Sequence, residues 1–294
     1  MAFTLLVLAA GQGSRYGGLK QIDPVGPSGE TLLDYAVFDA LAAGCNRVVF
    51  VIRREFEAAF REKVGAKYSG RAEVAYVFQS LDALPAGFAP VPGREKPWGT
   101  GHAVWCAAPA VRENFAVINA DDFYGADSFA RLAGFIARTA GAPATPPRFA
   151  LVGFRLALTL SEHGAVSRGV CTAASGILQS VVEQKGIAAD DVGPGRTYTG
   201  VEIVSMNCWA FTPALFPLLE TDLRDFLQSR ASDLQAEFYL PASISAMIGR
   251  GQAVVEVLPT SASWFGITYR PDRPRVAAAI AELVAAHQYP GRLF

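Results

Sequence analysis

Apolar residues fall along the chain in two alternating kinds of run. Leu5-Leu6-Val7-Leu8-Ala9-Ala10 is short, continuous and bounded by Gly11, the pattern of a strand buried on both faces. Residues 31–43 follow with apolar positions at helical spacing (Leu32, Leu33, Val37, Leu41) and Gly44 behind them as a stop. A second buried strand is predicted over 47–52, a charged amphipathic helix over 55–64 and a third strand over 73–78. Strand and helix in this alternation imply a parallel sheet with right-handed crossovers, and so a Rossmann-like first half.

Residues 80–96 contain Pro and Gly without a period, long for a connection, and are expected to form a lid or an insertion near a site. Gly99-Thr100-Gly101 then opens a helix predicted to reach 108, and 115–119 is a buried strand ending in Ala120-Asp121-Asp122, with a helix over 126–140 behind it. Beyond 148 the character changes. Strands are predicted over 149–156, 166–172, 177–183, 203–211 and 254–258, and helices over 215–227, 240–248 and 275–287. The shift suggests mixed strand pairing inside one domain of 1–294, with a nucleotide-binding half (1–148) and an acceptor-binding half (149–294), not a second separately folded unit.

Composition narrows the setting. A chain of 294 residues that is 51% hydrophobic can build a substantial core. Its net charge of -1 gives no global field toward nucleic acid or an anionic membrane, so neither is an expected partner, and any polyanion must be met by a local site. Cys45, Cys106, Cys171 and Cys208 form no CxxC pair and lie among apolar neighbours, which favours reduced core thiols and a cytoplasmic location. The N-terminus lacks the basic region of a signal peptide, and no apolar run reaches the roughly 20 residues of a membrane span. The pattern leaves a homo-oligomer open.

The chemistry concentrates where the first strand ends. Gly11, Gly13, Gly17 and Gly18 let backbone pass close to a bulky ligand and offer N–H groups to it, while Arg15 and Lys20 add two positive charges, so a phosphate chain is the expected ligand. Two familiar glycine motifs fit badly. A dinucleotide fingerprint wants Gly where Tyr16 stands, and a P-loop wants Gly-Lys-Ser/Thr, whereas Lys20 follows Leu19 and precedes Gln21. What the segment resembles is the signature of the sugar-1-phosphate nucleotidyltransferases, glucose-1-phosphate uridylyltransferases among them. That signature is a strand ending Leu-Ala-Ala/Gly-Gly, then Gly-x-Gly-Ser/Thr-Arg, then a lysine before a Pro-containing turn, here Gly11, Gly13, Ser14, Arg15, Lys20 and Pro24.

The resemblance implies a GT-A-type three-layer α/β/α sandwich with a mixed, mainly parallel central sheet, and it distributes roles. Gly11, Gly13, Ser14 and Arg15 would cradle the β and γ phosphates and Lys20 the α-phosphate, with Ala10 also on the nucleotide-binding side. Gln79 with Gly99 and Thr100 would hold the base edge, although the two elements stand farther apart than is usual. Asp121 would be the first Mg²⁺ carboxylate, with Asp122 assisting or capping the next helix. Glu183 and Lys185 would meet the acceptor's hydroxyls and phosphate, with Asn207 lining that pocket. Glu237-Phe238-Tyr239-Leu240 resembles a further, largely structural, segment of the family. One position departs: the second metal carboxylate usually follows a late Trp-Leu or Trp-Phe pair, but Gly266 follows Trp264-Phe265, leaving Asp272, Asp122 or water to substitute. Arg168 is read either as a ligand of the acceptor phosphate or as an exposed arginine, and the three histidines are too scattered for a metal cluster or a triad.

The expected activity is therefore nucleotidyl transfer from an NTP, UTP favoured, to a small phosphorylated acceptor, a sugar 1-phosphate first, with Mg²⁺ as cofactor and pyrophosphate as second product. Alternatives are CTP-dependent transfer to phosphocholine or another non-sugar phosphate, a nucleotide-binding homologue without turnover, and, less well matched, a glycosyltransferase of the same fold, for which the spaced Asp-x-Asp is missing.

Overall fold

A computed structural model describes residues 2–11, 23–141, 144–267 and 270–294. Gly13, Ser14, Arg15 and Lys20 thus lie outside the described residues. The apolar runs become strands β1 (Phe3–Leu8), β2 (Cys45–Ile52), β3 (Glu73–Phe78) and β4 (Phe115–Asn119), parallel and in the spatial order β3-β2-β1-β4. Helix α1 (Leu32–Ala42) crosses over between β1 and β2. Thr31 starts it with a capping box, its hydroxyl accepting from the Asp34 N–H at 3.2 Å and its own N–H donating to the Asp34 carboxylate at 2.8 Å. Gly44, at φ 101°, lets the chain turn into β2 where a side chain would be strained.

Alternation along β1 divides the interior in two. Phe3, Leu5 and Val7 enter one core, under α1 and α4 (Ala126–Thr139). Leu6 and Leu8 enter the other, under α3 (Thr100–Cys106), α5 (Leu215–Arg230) and α6 (Leu240–Gly249). Helices therefore cover both faces of the sheet. A short helix α2 (Glu57–Lys63) joins the first core, and α7 (Arg273–Ala285) closes a third cluster around Tyr35, Phe123 and Tyr289.

The sheet continues past β4 through β9 (Ile203–Phe211), β6 (Arg148–Arg155), β10 (Val254–Pro259), β8 (Ile177–Ile187) and β7 (Val166–Ala174), with β7 also pairing back to β9. The mixed pairing expected of the second half is found, but the antiparallel pairs there keep the whole sheet from being mainly parallel. Of the strand pairs among the described residues there, β6–β10 is parallel, while β9 runs antiparallel to β4, β6 and β7, and β8 antiparallel to β7 and β10. Part of the reason is local. Ser175 (φ 50°) and Gly176 (φ 77°) close a two-residue hairpin between β7 and β8, and such a hairpin makes antiparallel neighbours.

Two strands escaped the pattern altogether. β5 (Asp122–Phe123) and β11 (Phe265–Gly266) form a separate antiparallel pair, Phe123 opposite Phe265 and Asp122 opposite Gly266, with the two rings stacked at 4.5 Å. The 80–96 segment is bound along its length to the body. Leu81 O accepts from Trp98 Nε1 at 3.0 Å, Ala83 O from His102 Nε2 at 2.6 Å and Ala86 O from Arg224 at 2.9 Å. Arg94, stacked 3.6 Å over Trp98, reaches Ala236 O at 2.6 Å. Of the lid or insertion expected there, these contacts along its length describe an insertion strapped to the body.

Candidate active site

The parallel block fixes where a site can lie. In register, Phe78 stands beside Ile52, Val51 beside Leu8, and Leu8 beside Asn119. Gln79, Ala10-Gly11 and Ala120-Asp121 therefore leave the sheet along one carboxyl edge. Between β1 and β4 the strand order reverses, the crevice where open α/β sheets bind ligands. Ala10 is buried, Gly11 is exposed, and no atom of the described residues lies within 4 Å of a Cβ built on Gly11.

On the β3 side, Gln79 is 7% exposed and its amide is locked. Nε2 donates to Gly99 O at 2.9 Å and faces His102 Nδ1 at 3.1 Å. A backbone carbonyl only accepts, so the amide nitrogen must point at it. His102 donates Nε2–H to Ala83 O, which leaves Nδ1 as the acceptor Gln79 requires. Burial pulls the imidazole pKa down to about 4, so the ring is neutral at physiological pH. What remains of Gln79 is Oε1, an acceptor oxygen. His102, dismissed in the sequence as one of three scattered histidines, is what aims the glutamine.

Gly99 is a glycine for a reason other than a flat ligand. At φ 109°, a Cβ there would lie 2.6 Å from Phe238 O and 2.9 Å from Phe238 N. The backbones of 98–101 and 238 are bonded to one another, Phe238 N to Trp98 O at 2.6 Å and Gly101 N to Phe238 O at 2.9 Å. Thr100 Oγ1 accepts from Leu240 N at 3.0 Å, capping α6 and not its own helix. The Glu237-Phe238-Tyr239 segment is thereby held beside Gln79, and Lys96 pairs with Glu237 at 2.5 Å.

On the β4 side the two aspartates part company. Asp121 is half-buried at the strand end. Asp122, 7% exposed, turns inward, where its Oδ2 accepts from Asn119 Nδ2 at 2.9 Å and from the Tyr124 hydroxyl at 3.1 Å. Helix α4 is capped by neither, since its N-cap is Gly125 without a side-chain bond. Across the short ladder stands Gly266, and a Cβ built on it would be 2.5 Å from Asp122 Oδ1. Asp272, named earlier as a substitute ligand, is buried with Oδ1 accepting from Ser161 Oγ at 2.9 Å.

Magnesium is the cofactor the resemblance implies. Among the described residues no three His, Cys, Asp or Glu side chains converge into a cage. Mg²⁺ asks for less, one or two carboxylates with the other positions left to water and phosphate oxygens, and Asp121 at a strand mouth fits that requirement.

The acceptor-side residues expected in the second half lie on β7, β8 and β9. Glu183 and Lys185 share one face of β8 and are exposed, Glu183 lying across from Gly169 of β7. Arg168, Lys185 and Glu237 are the charges that act on the Glu183 carboxyl. Arg168 is not the exposed arginine of one expectation. It is 7% exposed, donates from Nε to Thr159 Oγ1 at 3.1 Å and from Nη1 to Ser167 O at 2.8 Å, and lies 4.9 Å over the Trp264 ring. Burial lowers its pKa, and the charges of Asp122 and Glu183 oppose that shift. Asn207 sits in β9 at φ 56°, beside a register shift against β6, with its amide engaged by Asn119 and Trp209. Sequence reasoning missed Asn119 and Tyr124, although a polar residue closing the apolar run Phe115-Ala116-Val117-Ile118 is a visible signal.

The same fold recurs in solved structures. Over 96% of this chain the fold is similar to that of UDP-glucose pyrophosphorylase complexed with UDP-glucose (TM-score 0.63, 16% identity, 99% of that chain). It is also similar to the inositol-1-phosphate CTP transferase from T. maritima (TM-score 0.62, 12% identity, 96% of each chain). In sequence, 108 residues are 32% identical to the bifunctional protein GlmU of Pelobacter propionicus, covering 36% of this chain. The chain spans about a fifth of that relative's length, 19% of it. The fold is α/β with its crevice at the β1–β4 reversal, and the family the sequence matches is one of nucleotidyltransferases, a class of enzymes. Residues 5–150 match the MobA-like NTP transferase domain, and this match together with the GlmU similarity supports a sugar-1-phosphate nucleotidyltransferase-like family.

Proposed function

We propose that this chain transfers a nucleoside monophosphate from an NTP to a sugar 1-phosphate on a GT-A-type sandwich, releasing pyrophosphate, with UTP the favoured donor. The observation that carries the reading is the row at the carboxyl edge. Gly11 after β1, the locked amide of Gln79 after β3 and Asp121 after β4 leave the sheet along one edge, and Glu183 and Lys185 on β8 are read as the acceptor side of the site. Gly11, Gly13, Ser14 and Arg15 would hold the β and γ phosphates, and Lys20 the α-phosphate as charge develops on it.

The acceptor's phosphate oxygen is ionised near neutral pH and needs no protein base. It attacks the α-phosphorus in line, forming the new P–O bond as the bond to pyrophosphate breaks. Lys185 would orient that phosphate and Glu183 the sugar hydroxyls. Bound Mg²⁺ would supply neutralisation of the phosphate charge, with Asp121 as its protein ligand.

Base choice rests on Gln79 Oε1, because its amide N–H groups are already spent on Gly99 O and His102 Nδ1. An acceptor-only oxygen suits the N3–H of uracil, whereas N3 of cytosine is itself an acceptor. Cytosine can still offer its amino group, so cytidylyl transfer is the second reading. A pyrophosphate-release assay over the four common NTPs and a panel of sugar 1-phosphates, inositol 1-phosphate and phosphocholine tests both. Release with UTP and a sugar phosphate is expected, release with CTP and a non-sugar phosphate favours the second reading, and silence across the panel refutes the activity.

A further inference from the structure

A chain of side-chain hydrogen bonds runs between the two halves of the site, and its direction is forced from both ends. Asp122 is acceptor-only, so Asn119 must present Nδ2 to it, at 2.9 Å. That turns Asn119 Oδ1 toward Asn207, whose Nδ2 donates to it at 3.3 Å. Asn207 Oδ1 is then left facing Trp209 Nε1, a donor-only group, at 3.4 Å. Neither amide can flip without setting like against like at both of its contacts. The main chain is tied in as well, since Asn119 N donates to the Tyr124 hydroxyl at 3.0 Å and that hydroxyl faces both Asp122 Oδ2 and Met206 O. Burial beside Asp122 pushes the Tyr124 pKa up, which keeps the phenol protonated.

The relay is maintained at a local cost. Asn207 lies at φ 56° in the middle of a strand, a conformation that L-residues other than Asn and Asp rarely take and that persists only where surroundings impose it. The register of β9 on β6 shifts around it, Leu151 opposite Trp209 but Gly153 opposite Ser205. The shift and the positive φ accompany the placement of the Asn207 amide beside Asn119, a residue 88 positions away in the chain. Gly266 completes the arrangement by leaving room for Asp122 Oδ1.

We propose that Asn207 is a positioning residue: through Asn119 and Asp122 it fixes the strand-end turn that carries Asp121, and so couples the acceptor wall to the metal-binding carboxylate. The proposal rests on the reading of Asp121 as the Mg²⁺ ligand. It differs from the expectation that Asn207 touches the acceptor, because its amide is directed at Asn119.

The test measures Mn²⁺ binding by electron paramagnetic resonance, without turnover, in the presence of a non-hydrolysable UTP analogue, alongside steady-state kinetics. Asn207→Gly keeps the positive φ and removes the amide. Asn207→Asp keeps the shape and reverses the polarity toward Asn119. Mn²⁺ affinity is expected to fall about tenfold in the first and further in the second, as for other partners of metal ligands. The KM for the acceptor is expected to stay within about twofold of wild type while kcat falls. A raised acceptor KM with unchanged Mn²⁺ affinity overturns the proposal and makes Asn207 an acceptor contact. If either variant fails to fold, Asn119→Ser breaks the next link, and unchanged Mn²⁺ affinity in it overturns the proposal equally. Asp121→Asn separates the two levels: if it leaves Mn²⁺ binding intact the metal reading itself falls, whereas loss there with no loss at positions 207 and 119 removes the relay alone.

Discussion

Gly266→Asp places a carboxylate where the resembling family usually carries one, and the structure states what it should do here. The new Cβ would lie 2.5 Å from Asp122 Oδ1 and 2.8 Å and 3.0 Å from atoms of the Trp264 ring. Asp122 has little room to yield, because Asn119 and Tyr124 hold its other oxygen. Overpacking of this kind costs about 1–3 kcal/mol. A second carboxylate about 4 Å from the first adds up to about 4 kcal/mol at an effective dielectric of 20, which protonation of one partner relieves in part. A total near 4 kcal/mol is a large share of the roughly 5–15 kcal/mol of a folded domain and corresponds to a fall of about 10 °C in Tm. Thermal melts of Gly266→Ala and Gly266→Asp at pH 7 and pH 4.5 separate the two costs. Alanine reports the steric part at both pH values, and the extra loss with aspartate should shrink at pH 4.5. Mn²⁺ affinity should not improve. A Gly266→Asp variant as stable as wild type, or one that binds Mn²⁺ more tightly, would refute the account of why glycine stands there.

Gln79→Glu removes both amide donors and sets a carboxylate against Gly99 O, so KM for UTP should rise at least about tenfold in nucleotide titrations, with acceptor KM little changed. His102, lowered to about 4, binds a proton more readily unfolded than folded; stability should fall by up to about 3 kcal/mol as pH drops from about 6.5 to 4. Asp39, whose carboxyl burial raises to about 7 against the opposing bond from Tyr289, works the other way in the same window: it favours the folded state near pH 4 and that stability is lost as pH rises toward 7. Calorimetric melts should therefore show Asp39→Asn steepening the loss of stability toward acid and His102→Gln reversing it; parallel curves for the two variants would contradict the assignment. Lys20→Ala should cut kcat strongly in the pyrophosphate assay, and an unchanged rate would remove that lysine from the proposed chemistry.

No helix among the described residues is long and apolar enough to cross a membrane, which agrees with the absence of a long apolar run in the sequence. The four cysteines are all free thiols, Cys45 and Cys208 fully buried, and burial raises the thiol pKa of each.

The sequence by itself determined the parallel block and what leaves it. Strands buried on both faces read as continuous apolar runs, helices as runs of period 3.6, and their caps as Thr31 and Gly44, all of which are properties of neighbours in the chain. Once those strands are parallel, Gly11, Gln79 and Asp121 must share an edge. Only the tertiary structure decided the rest. The two-residue strands β5 and β11 have no period to read, and they meet across more than 140 residues to set Gly266 against Asp122. Arg168 reads as an ordinary surface arginine until Trp264 and Thr159 enclose it. The buried amide of Gln79 and the half-buried amides of Asn119 and Asn207 acquire direction from His102, Asp122 and Trp209, partners that the local pattern does not name. A buried polar group must find a complementary partner wherever the fold provides one, so its role is written in the packing and not in the run of residues around it.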